Sequence, residues 1–305
     1  MSKLKQRQRK RDRQARHQSQ GHARPVGDPR LGGMTPAVVK EGSQVLAKAL
    51  GEAALMAQAR ARGGHAPSSV VNAFLSPLKA VYLAMDSIGD AMKAAPQAPR
   101  APACVPGCCA CCRLYVEVGP WEAFGIADYL THVCDVSPPS FRAQVLGLLR
   151  DEAARYVASG GNRSRPGLCA FVAQDGRCGI YPARPSACRT YYSQSRASCE
   201  RFFGQAELDG PGPQVVRGPD SGVLAMFTAA EVLASAQAPL PATSSLPLYE
   251  MQSAVLRILD TPNALVRYLH GEDIFEGCAR FTAETELCTA GELLQLTLPS
   301  SVTAS

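Results

Sequence analysis

The chain has 305 residues, a formal net charge of +6 and twelve cysteines. Residues 1–30 carry ten Lys or Arg against two Asp, a net of +8, so the rest of the chain carries −2. The basic balance therefore belongs to the N-terminal tail, which excludes a broadly basic folded domain.

The N-terminal tail, residues 1–36, is predicted to be disordered, because a dense run of like charges cannot bury a core. Its cations would contact nucleic acid weakly and without sequence specificity, since residues 1–30 offer no aromatic side chain for base stacking. No apolar segment follows the basic start, so no secretory signal is indicated and a cytoplasmic location is expected.

Two helices are predicted next, over 37–62 and 70–94, as a helical hairpin. The first would end at Gly63-Gly64, and Pro77 would delay the start of the second helix or kink it. The most apolar stretch, Val45–Met56, is too short and too charged to span a bilayer. The predicted buried face of the first helix comprises Val38, Val39, Val45, Leu46, Leu50, Ala54 and Leu55.

Nine of the twelve cysteines form a pattern that is typical of a metal site. Thiolates select zinc, copper(I) or iron–sulfur clusters. Cys134, Cys278 and Cys288 stand apart and are interpreted as small buried hydrophobic residues. The pattern opens with Cys104-x3-Cys108-Cys109-x-Cys111-Cys112 and closes with Cys169-x8-Cys178-x9-Cys188-x10-Cys199.

A disulfide framework is the alternative interpretation of so many cysteines, and it needs an oxidising compartment. The missing secretory signal favours metal. The pairs Cys108 with Cys111 and Cys109 with Cys112 both have the C-x2-C spacing that places two sulfurs on one ion. Adjacent cysteines are expected to point apart, which leaves one thiol over. The other eight fit two four-thiolate zinc sites, or one four-cysteine iron–sulfur cluster with spare thiols.

Helices over Pro120–His132 and 139–158 are predicted between the two cysteine runs, and a metal would tie the ends of this insert together. The turn signal Asp175-Gly176 predicts a small hairpin that carries Cys169 and Cys178.

The segment from Cys104 to Phe203 resembles the YkgJ-type cysteine-cluster family, a bacterial family to which zinc or iron chelation is ascribed. The family pattern runs C-x2-C-x2-C-C, then a later Cys, then C-x-I-Y-x-x-R-P-x-x-C-R and a final Cys. Residues 178–189, CGIYPARPSACR, match the central element. The first gap here is three residues rather than two, and Cys109 is an extra thiol.

The resemblance implies zinc or iron as the cofactor, either mononuclear or as an iron–sulfur cluster. Arg184 and Arg189 flank Cys188, and their guanidinium groups are predicted to offset the thiolate charge and to donate hydrogen bonds to sulfur. The implied ligands are Cys104, Cys108, Cys111, Cys112, Cys169, Cys178, Cys188 and Cys199.

A Gly/Pro-rich loop, 204–222, follows, and helices are predicted over 223–237, 247–259 and 262–270. The fold class is predicted to be mainly α, with helices around a cysteine-rich metal-binding core that has short irregular or hairpin loops. The predicted divisions are a basic tail, a helical hairpin, a cysteine-cluster domain, a C-terminal helical region and a frayed tail, over 1–36, 37–95, 96–205, 206–295 and 296–305.

Two functions fit this pattern. The first is a protein that binds zinc or iron through thiolates, with no protein partner indicated. The alternative is an iron–sulfur-dependent enzyme, because the cluster more loosely resembles that of protein lysine methylases. The chain contains no P-loop, G-x-G-x-x-G or H-E-x-x-H motif and no recognisable S-adenosylmethionine motif, which disfavours the enzyme.

Deleting residues 2–30 is expected to leave folding and metal content unchanged, because a disordered basic run contributes nothing to a core. Any affinity of the intact chain for a random-sequence RNA should fall steeply with salt, and the deletion should abolish it. Metal per chain and filter binding at low and high salt measure both effects. RNA binding that survives the deletion and ignores salt would contradict the interpretation.

Overall fold

The computed structural model describes residues 27, 31–94, 102–133, 139–161, 165–203, 215–216, 219–237, 240–241 and 248–279. The predictions made for residues 1–26, Cys134, Cys288, most of the loop 204–222 and the tail 296–305 lie outside the described residues.

The fold is mainly α-helical, as predicted. Its helices are α1 Pro36–Arg62, α2 Pro67–Lys93, α3 Pro120–His132, α4 Pro139–Ala158, α5 Ser186–Arg189, α6 Arg196–Phe203, α7 Pro219–Gln237, α8 Met251–Asp260 and α9 Ala264–Leu269. Short strands lie at β1 Glu117–Val118, β2 Tyr192–Ser193, β3 Val215–Val216 and β4 Tyr249–Glu250. They form two antiparallel pairs, β1 with β4 and β2 with β3.

Helix α2 runs without a break through Pro77, although a kink or a delayed start was expected there. Proline has no N–H, so the carbonyl of Ala73 loses its usual intrahelical donor. The hydroxyl of Ser76 donates to that carbonyl at 3.1 Å and replaces the missing bond. Helix α1 ends at Gly63 as predicted, and the following Gly64 has a φ of +68° that favours glycine.

Helix α1 packs against both α2 and α7. Its predicted face is wrong in part, because Val38, Val45 and Leu55 are at least half exposed. The face that is buried consists largely of small residues, which allow the backbones of neighbouring helices to approach closely. Its members are Val39, Ser43, Ala47, Leu50, Gly51, Ala53, Ala54, Ala57 and Gln58.

Aromatic side chains join the N-terminal helices to the rest of the core. The rings of Phe74 on α2 and Trp121 on α3 stack with their centroids 4.8 Å apart. The ring centroid of Phe124 lies 5.4 Å from that of Tyr268 on α9 and 5.9 Å from that of Phe275. One hydrophobic cluster therefore runs from the start of the described chain to its end.

Helices α8 and α9 begin later than the sequence predicted, whereas α7 begins earlier, at Pro219 rather than residue 223. Residues 249–250 are in strand β4, and α8 starts only at Met251. The carboxylate of Glu250 accepts from the backbone N–H groups of Gln252 and Ser253 at 3.1 and 2.8 Å, and so caps the helix. In the described part of the chain, no helix combines the length and apolar character needed to cross a lipid bilayer.

Two buried carboxyl groups meet at the start of α3. Glu231 of α7 accepts from the backbone N–H of Trp121 at 3.1 Å. Glu122 accepts from the Tyr82 hydroxyl at 3.0 Å and from the backbone N–H and hydroxyl of Ser186 at 2.6 and 2.7 Å. Burial, followed by the charge of Glu122, raises the pKa of Glu231 well above its ordinary value of 4.5.

The raised pKa of Glu231 predicts a loss of stability as pH rises. The unfolded chain releases this proton near pH 4.5 while the folded chain keeps it, so the folded state is favoured less with each pH unit above 4.5. Glu231→Gln keeps an acceptor for Trp121, and its melting temperature should therefore fall less than that of the wild type between about pH 5 and pH 7.5.

The matched control is Glu52→Gln, because that side chain is 66% exposed on α1. Its melting curve should follow the wild-type pH dependence. Parallel pH profiles for Glu231→Gln and the wild type would contradict the prediction.

Candidate metal centre

The first cysteine run, residues 104–112, is an irregular segment that we call the strap. It ends in a 3₁₀ turn at Ala110–Arg113. The second run starts beside that turn, because the backbone N–H of Cys169 donates to the carbonyl of Cys112 at 2.8 Å. The N–H of Arg165 donates to the carbonyl of Arg113 at 2.7 Å. The ends of the helical insert are therefore adjacent through backbone hydrogen bonds.

The predicted hairpin is confirmed in outline as one antiparallel bridge between Val172 and Cys178. Gly176 in its turn has a φ of +79°, a conformation that suits glycine. Each of the two cysteines of the hairpin has a backbone hydrogen bond to its sulfur. The N–H of Phe171 donates to Cys169, and the N–H of Ile180 donates to Cys178. An amide that donates to sulfur stabilises the thiolate form that a metal needs.

Four thiols meet at the end of this hairpin, and we call Cys112, Cys169, Cys178 and Cys188 the four-thiol group. Burial raises the pKa of Cys188 well above its ordinary value, and the charges of the other three members raise it further. The pKa of Cys169 is raised to about 11, mainly by burial and also by Cys112 and Cys178. The sequence predicted all four as ligands but did not predict that they form one group.

A second group, the three-thiol group, consists of Cys104, Cys108 and Cys199. Burial raises the pKa of Cys104, and so do the neighbouring charges of Cys108 and Cys199. Helix α6 carries Cys199 and packs against the 3₁₀ turn of the strap. Ser193 links the group, because its backbone N–H donates to the sulfur of Cys104 and its side chain bonds to Cys199.

The expectation that adjacent cysteines point apart is wrong for Cys111 and Cys112, whose thiols hydrogen-bond to each other within the 3₁₀ turn. Cys109 lines a separate surface groove with Arg196. Cys278 is partly buried against the hydrophobic core, as interpreted from the sequence.

Two buried polar residues support the four-thiol group, and neither was predicted from the sequence. The Arg165 guanidinium donates to the Leu114 carbonyl at 2.9 Å and to Glu152 at 2.5 Å, and its charge lowers the pKa of Cys169. Gln252 of α8 donates from Nε2 to the sulfur of Cys169 at 3.3 Å and accepts from Arg165 at 3.0 Å.

The two arginines predicted beside the ligands have different surroundings. The buried Arg189 donates to both oxygens of Asp86 at 2.6 and 2.5 Å and to the carbonyls of Pro182 and Arg184. These hydrogen bonds go to oxygen rather than to sulfur. The charge of Arg184 lowers the pKa of both Cys178 and Cys188, which is the electrostatic role predicted for it.

The donor set fits a thiophilic metal. Four sulfurs, two backbone amides and one side-chain amide converge on one region, and nearby guanidinium groups offset thiolate charge. As the side chains stand, no three Cys, His, Asp or Glu groups of the described residues are close enough together to hold an ion. A cysteine thiol can change position by rotation about χ1, so the sulfurs are not confined to the places where they stand.

Comparison with known proteins supports the same chemistry. Residues 103–205, about a third of the chain, match the sequence profile of a family named for the pattern CxxCxxCC and described as "Putative zinc- or iron-chelating domain". The resemblance to a cysteine-cluster family is therefore confirmed for this segment. No curated protein and no solved structure matches the chain.

Replacing Gln252 should weaken metal binding without removing a ligand. Gln252→Met keeps the length of the side chain but removes both the N–H donor to Cys169 and the acceptor for Arg165. The loss of such supporting hydrogen bonds typically lowers metal affinity about 10–100-fold. Competition against a chromophoric chelator measures the affinity. Gln44→Met, the same change at an exposed position of α1, is the control, and equal affinities for the two variants would contradict the prediction.

Proposed function

We propose that the protein binds zinc or iron, and that the thiolates of Cys112, Cys169, Cys178 and Cys188 hold one ion. The observation that carries the proposal is the four-thiol group itself. Its members come from a 3₁₀ turn, a hairpin and α5, and all four are partly buried and line one cavity. Tetrahedral coordination by four thiolates is the common arrangement of structural zinc, and it also serves iron.

Metal binding by these thiols would be coupled to the release of their protons. Burial raises the pKa of these thiols, so four free thiolates in this place would be unfavourable. A divalent ion reverses that preference, since thiolates coordinate it and their protons are released on binding. Four thiolates on a divalent ion leave a net charge of −2, which Arg165 and Arg184 would offset.

We further propose that the three-thiol group holds a second ion together with Cys111. Cys111 lies three residues after Cys108, at the spacing that places two sulfurs on one ion. Rotation of its thiol away from Cys112 would release it for this role. The eight ligands inferred from the sequence would then divide into two sets of four.

The structural role of such ions follows from the chain segments they join. The four-thiol group connects both ends of the helical insert to the loop of residues 178–189. The three-thiol group connects the strap to α6. A metal that joins sequence-distant segments contributes directly to folding free energy, on the order of 10 kcal/mol in small metal domains. Metal binding would therefore stabilise the whole segment.

The alternative function, an iron–sulfur-dependent enzyme, requires iron, whereas the proposal is satisfied by zinc or by iron. Thiolate-bound iron absorbs visible light, whereas zinc thiolate is colourless. Elemental analysis and an absorption spectrum of protein purified without air would show whether the iron that the enzyme requires is present. A stoichiometric zinc protein without colour would contradict the enzyme.

Serine variants test the division of the ligands. We expect about two ions per wild-type chain. Cys188→Ser should lose the ion of the four-thiol group, because a hydroxyl does not replace thiolate on zinc or iron at neutral pH. Cys199→Ser should lose only the ion of the three-thiol group. The measurement is metal per chain for variants purified in parallel under reducing conditions.

Cys109→Ser and Cys278→Ser are the matched controls and should keep both ions. If Cys109→Ser empties a site while Cys188→Ser does not, the ligand assignment is wrong. If Cys188→Ser and Cys199→Ser each remove all metal, one shared cluster replaces the two separate sites.

A further inference from the structure

Helix α1 carries a line of large apolar side chains on its solvent side. Val38, Val45 and Met56 are 50, 69 and 51% exposed. Successive residues of a helix are rotated by about 100°, so separations of seven and eleven residues bring side chains to within about 20° of the same direction. The three residues therefore form one stripe along the helix, which we call the α1 stripe.

Small residues between these side chains make the α1 stripe accessible to another helix. Gly42 and Ala49 are half-buried, and together with Leu46 and Met226 of α7 they line a groove beside Val38 and Val45. Positions 38, 42, 45, 49, 52 and 56 are separated alternately by four and three residues. This alternation is the spacing of a seam between two packed helices, and glycine and alanine let the second backbone approach closely.

Two opposite charges flank the stripe on one side. Glu41 and Lys48 are both exposed, and they lie seven residues apart on the edge of the stripe that faces away from Met226. Lys48 lies 3.9 Å from Glu52, and the two side chains are 78 and 66% exposed. Because an exposed pair of this kind contributes little stability, Lys48 can pair with another carboxylate.

These charges complement a second copy of the same helix. In an antiparallel pair of identical helices related by a two-fold axis, each flank faces the same flank of the other helix. If Val45 lies against Val45 of the second copy, Glu41 of each chain is within about 1.5 Å, along the axis, of the level of Lys48 of the other. Both charge pairs form at once, and Gly42 lies near Ala49 of the second copy.

We propose that the protein forms a two-fold symmetric dimer through the α1 stripe, with the two α1 helices antiparallel and Val45 at the centre. A single helix pair is a small interface, below the roughly 1,200 Å² of stable complexes. The dissociation constant is therefore expected on the order of 1–100 µM. The dimer contact lies on α1 and uses none of the cysteines proposed as ligands.

Sedimentation equilibrium of the full-length, metal-loaded chain tests the proposal over concentrations below and above this range. A reducing agent is present, so that intermolecular disulfides do not imitate a dimer. Val45→Glu should abolish dimerisation, because the two-fold axis would bring two carboxylates together in an apolar seam. Leu83→Glu is the matched control, since Leu83 is a 70% exposed apolar residue on α2, and it should leave the dissociation constant unchanged.

Charge reversal tests the orientation of the two helices. Glu41→Lys and Lys48→Glu should each weaken the dimer at least about tenfold, because each places like charges together twice across the axis. An equimolar mixture of the two variants should dimerise again, since a chain with two cations then meets a chain with two anions. The chain that carries both substitutions should dimerise as the wild type does. Lys79→Glu, an exposed charge reversal on α2, is the control and should have no effect.

A wild type that is monomeric over the whole range would overturn the proposal and would assign the α1 stripe to another occupant. A dimer that persists in Val45→Glu would overturn it too, because the contact would then lie elsewhere. Failure of the mixed charge variants to associate would overturn the antiparallel arrangement on which the proposal rests. Melting temperature and metal content are measured for every variant, and a variant that does not fold is replaced by Val38→Glu, which should also prevent dimerisation.

Discussion

The position of the loop that carries Cys178 and Cys188, residues 178–189, depends on the burial of one guanidinium group, that of Arg189. Only 1% of this side chain is exposed, and its guanidinium carbon lies 3.9 Å from the ring centroid of Tyr82. A buried cation without a partner costs several kcal/mol, so the loop is fixed where Arg189 reaches Asp86 of α2. The same side chain holds the loop backbone through the carbonyls of Pro182 and Arg184. Cys188, one residue earlier, takes its position from this anchor.

A second anchor lies just before the first. Glu122 of α3 accepts two hydrogen bonds from Ser186 and one from Tyr82 of α2, so the start of α5 is tied to both helices. Cys188 lies between Ser186 and Arg189. Cys188, a member of the four-thiol group, is thus positioned by helices that themselves carry no member of that group. We infer that metal binds a partly preformed site, where less chain entropy is lost on coordination.

The features that could be predicted from the sequence are those that depend on local sequence signals. Helix α3 begins and ends where predicted, because Pro120 suits a first helical position and the apolar period is clear. The cysteine spacings indicated candidate ligands, and the hairpin followed from its turn residues. The buried face of α1 was predicted less well, because alanine and glycine give a weak hydrophobic signal although they allow close helix packing. Gln252 was missed because it lies 83 residues from Cys169. Arg165 was missed because its burial depends on hydrogen bonds to Leu114, Glu152 and Gln252.

The role of Arg189 shows why adjacency in sequence misleads on a helix. Arg184 and Arg189 were both predicted to serve the sulfur of Cys188. Successive residues of a helix point about 100° apart, so the side chains of Cys188 and Arg189 on α5 leave the backbone in different directions. Arg189 turns to α2, and Arg184, which precedes the helix, faces the thiols instead. The charge of Arg184 lowers the pKa of both Cys178 and Cys188, and the charge of Arg189 also lowers that of Cys178.

The two thiol groups are nested along the chain, which gives their assembly an order. Cys104, Cys108 and Cys199 lie outside the interval that the four-thiol group spans, from Cys112 to Cys188. Once the inner group has closed that interval, only short segments remain to be ordered for the outer group, and loop-closure entropy grows with the length of chain that is free. The backbone N–H of Ala103 donates to the carbonyl of Ser193 at 2.7 Å and already holds these segments together. An ion in the four-thiol group should therefore favour assembly of the three-thiol group.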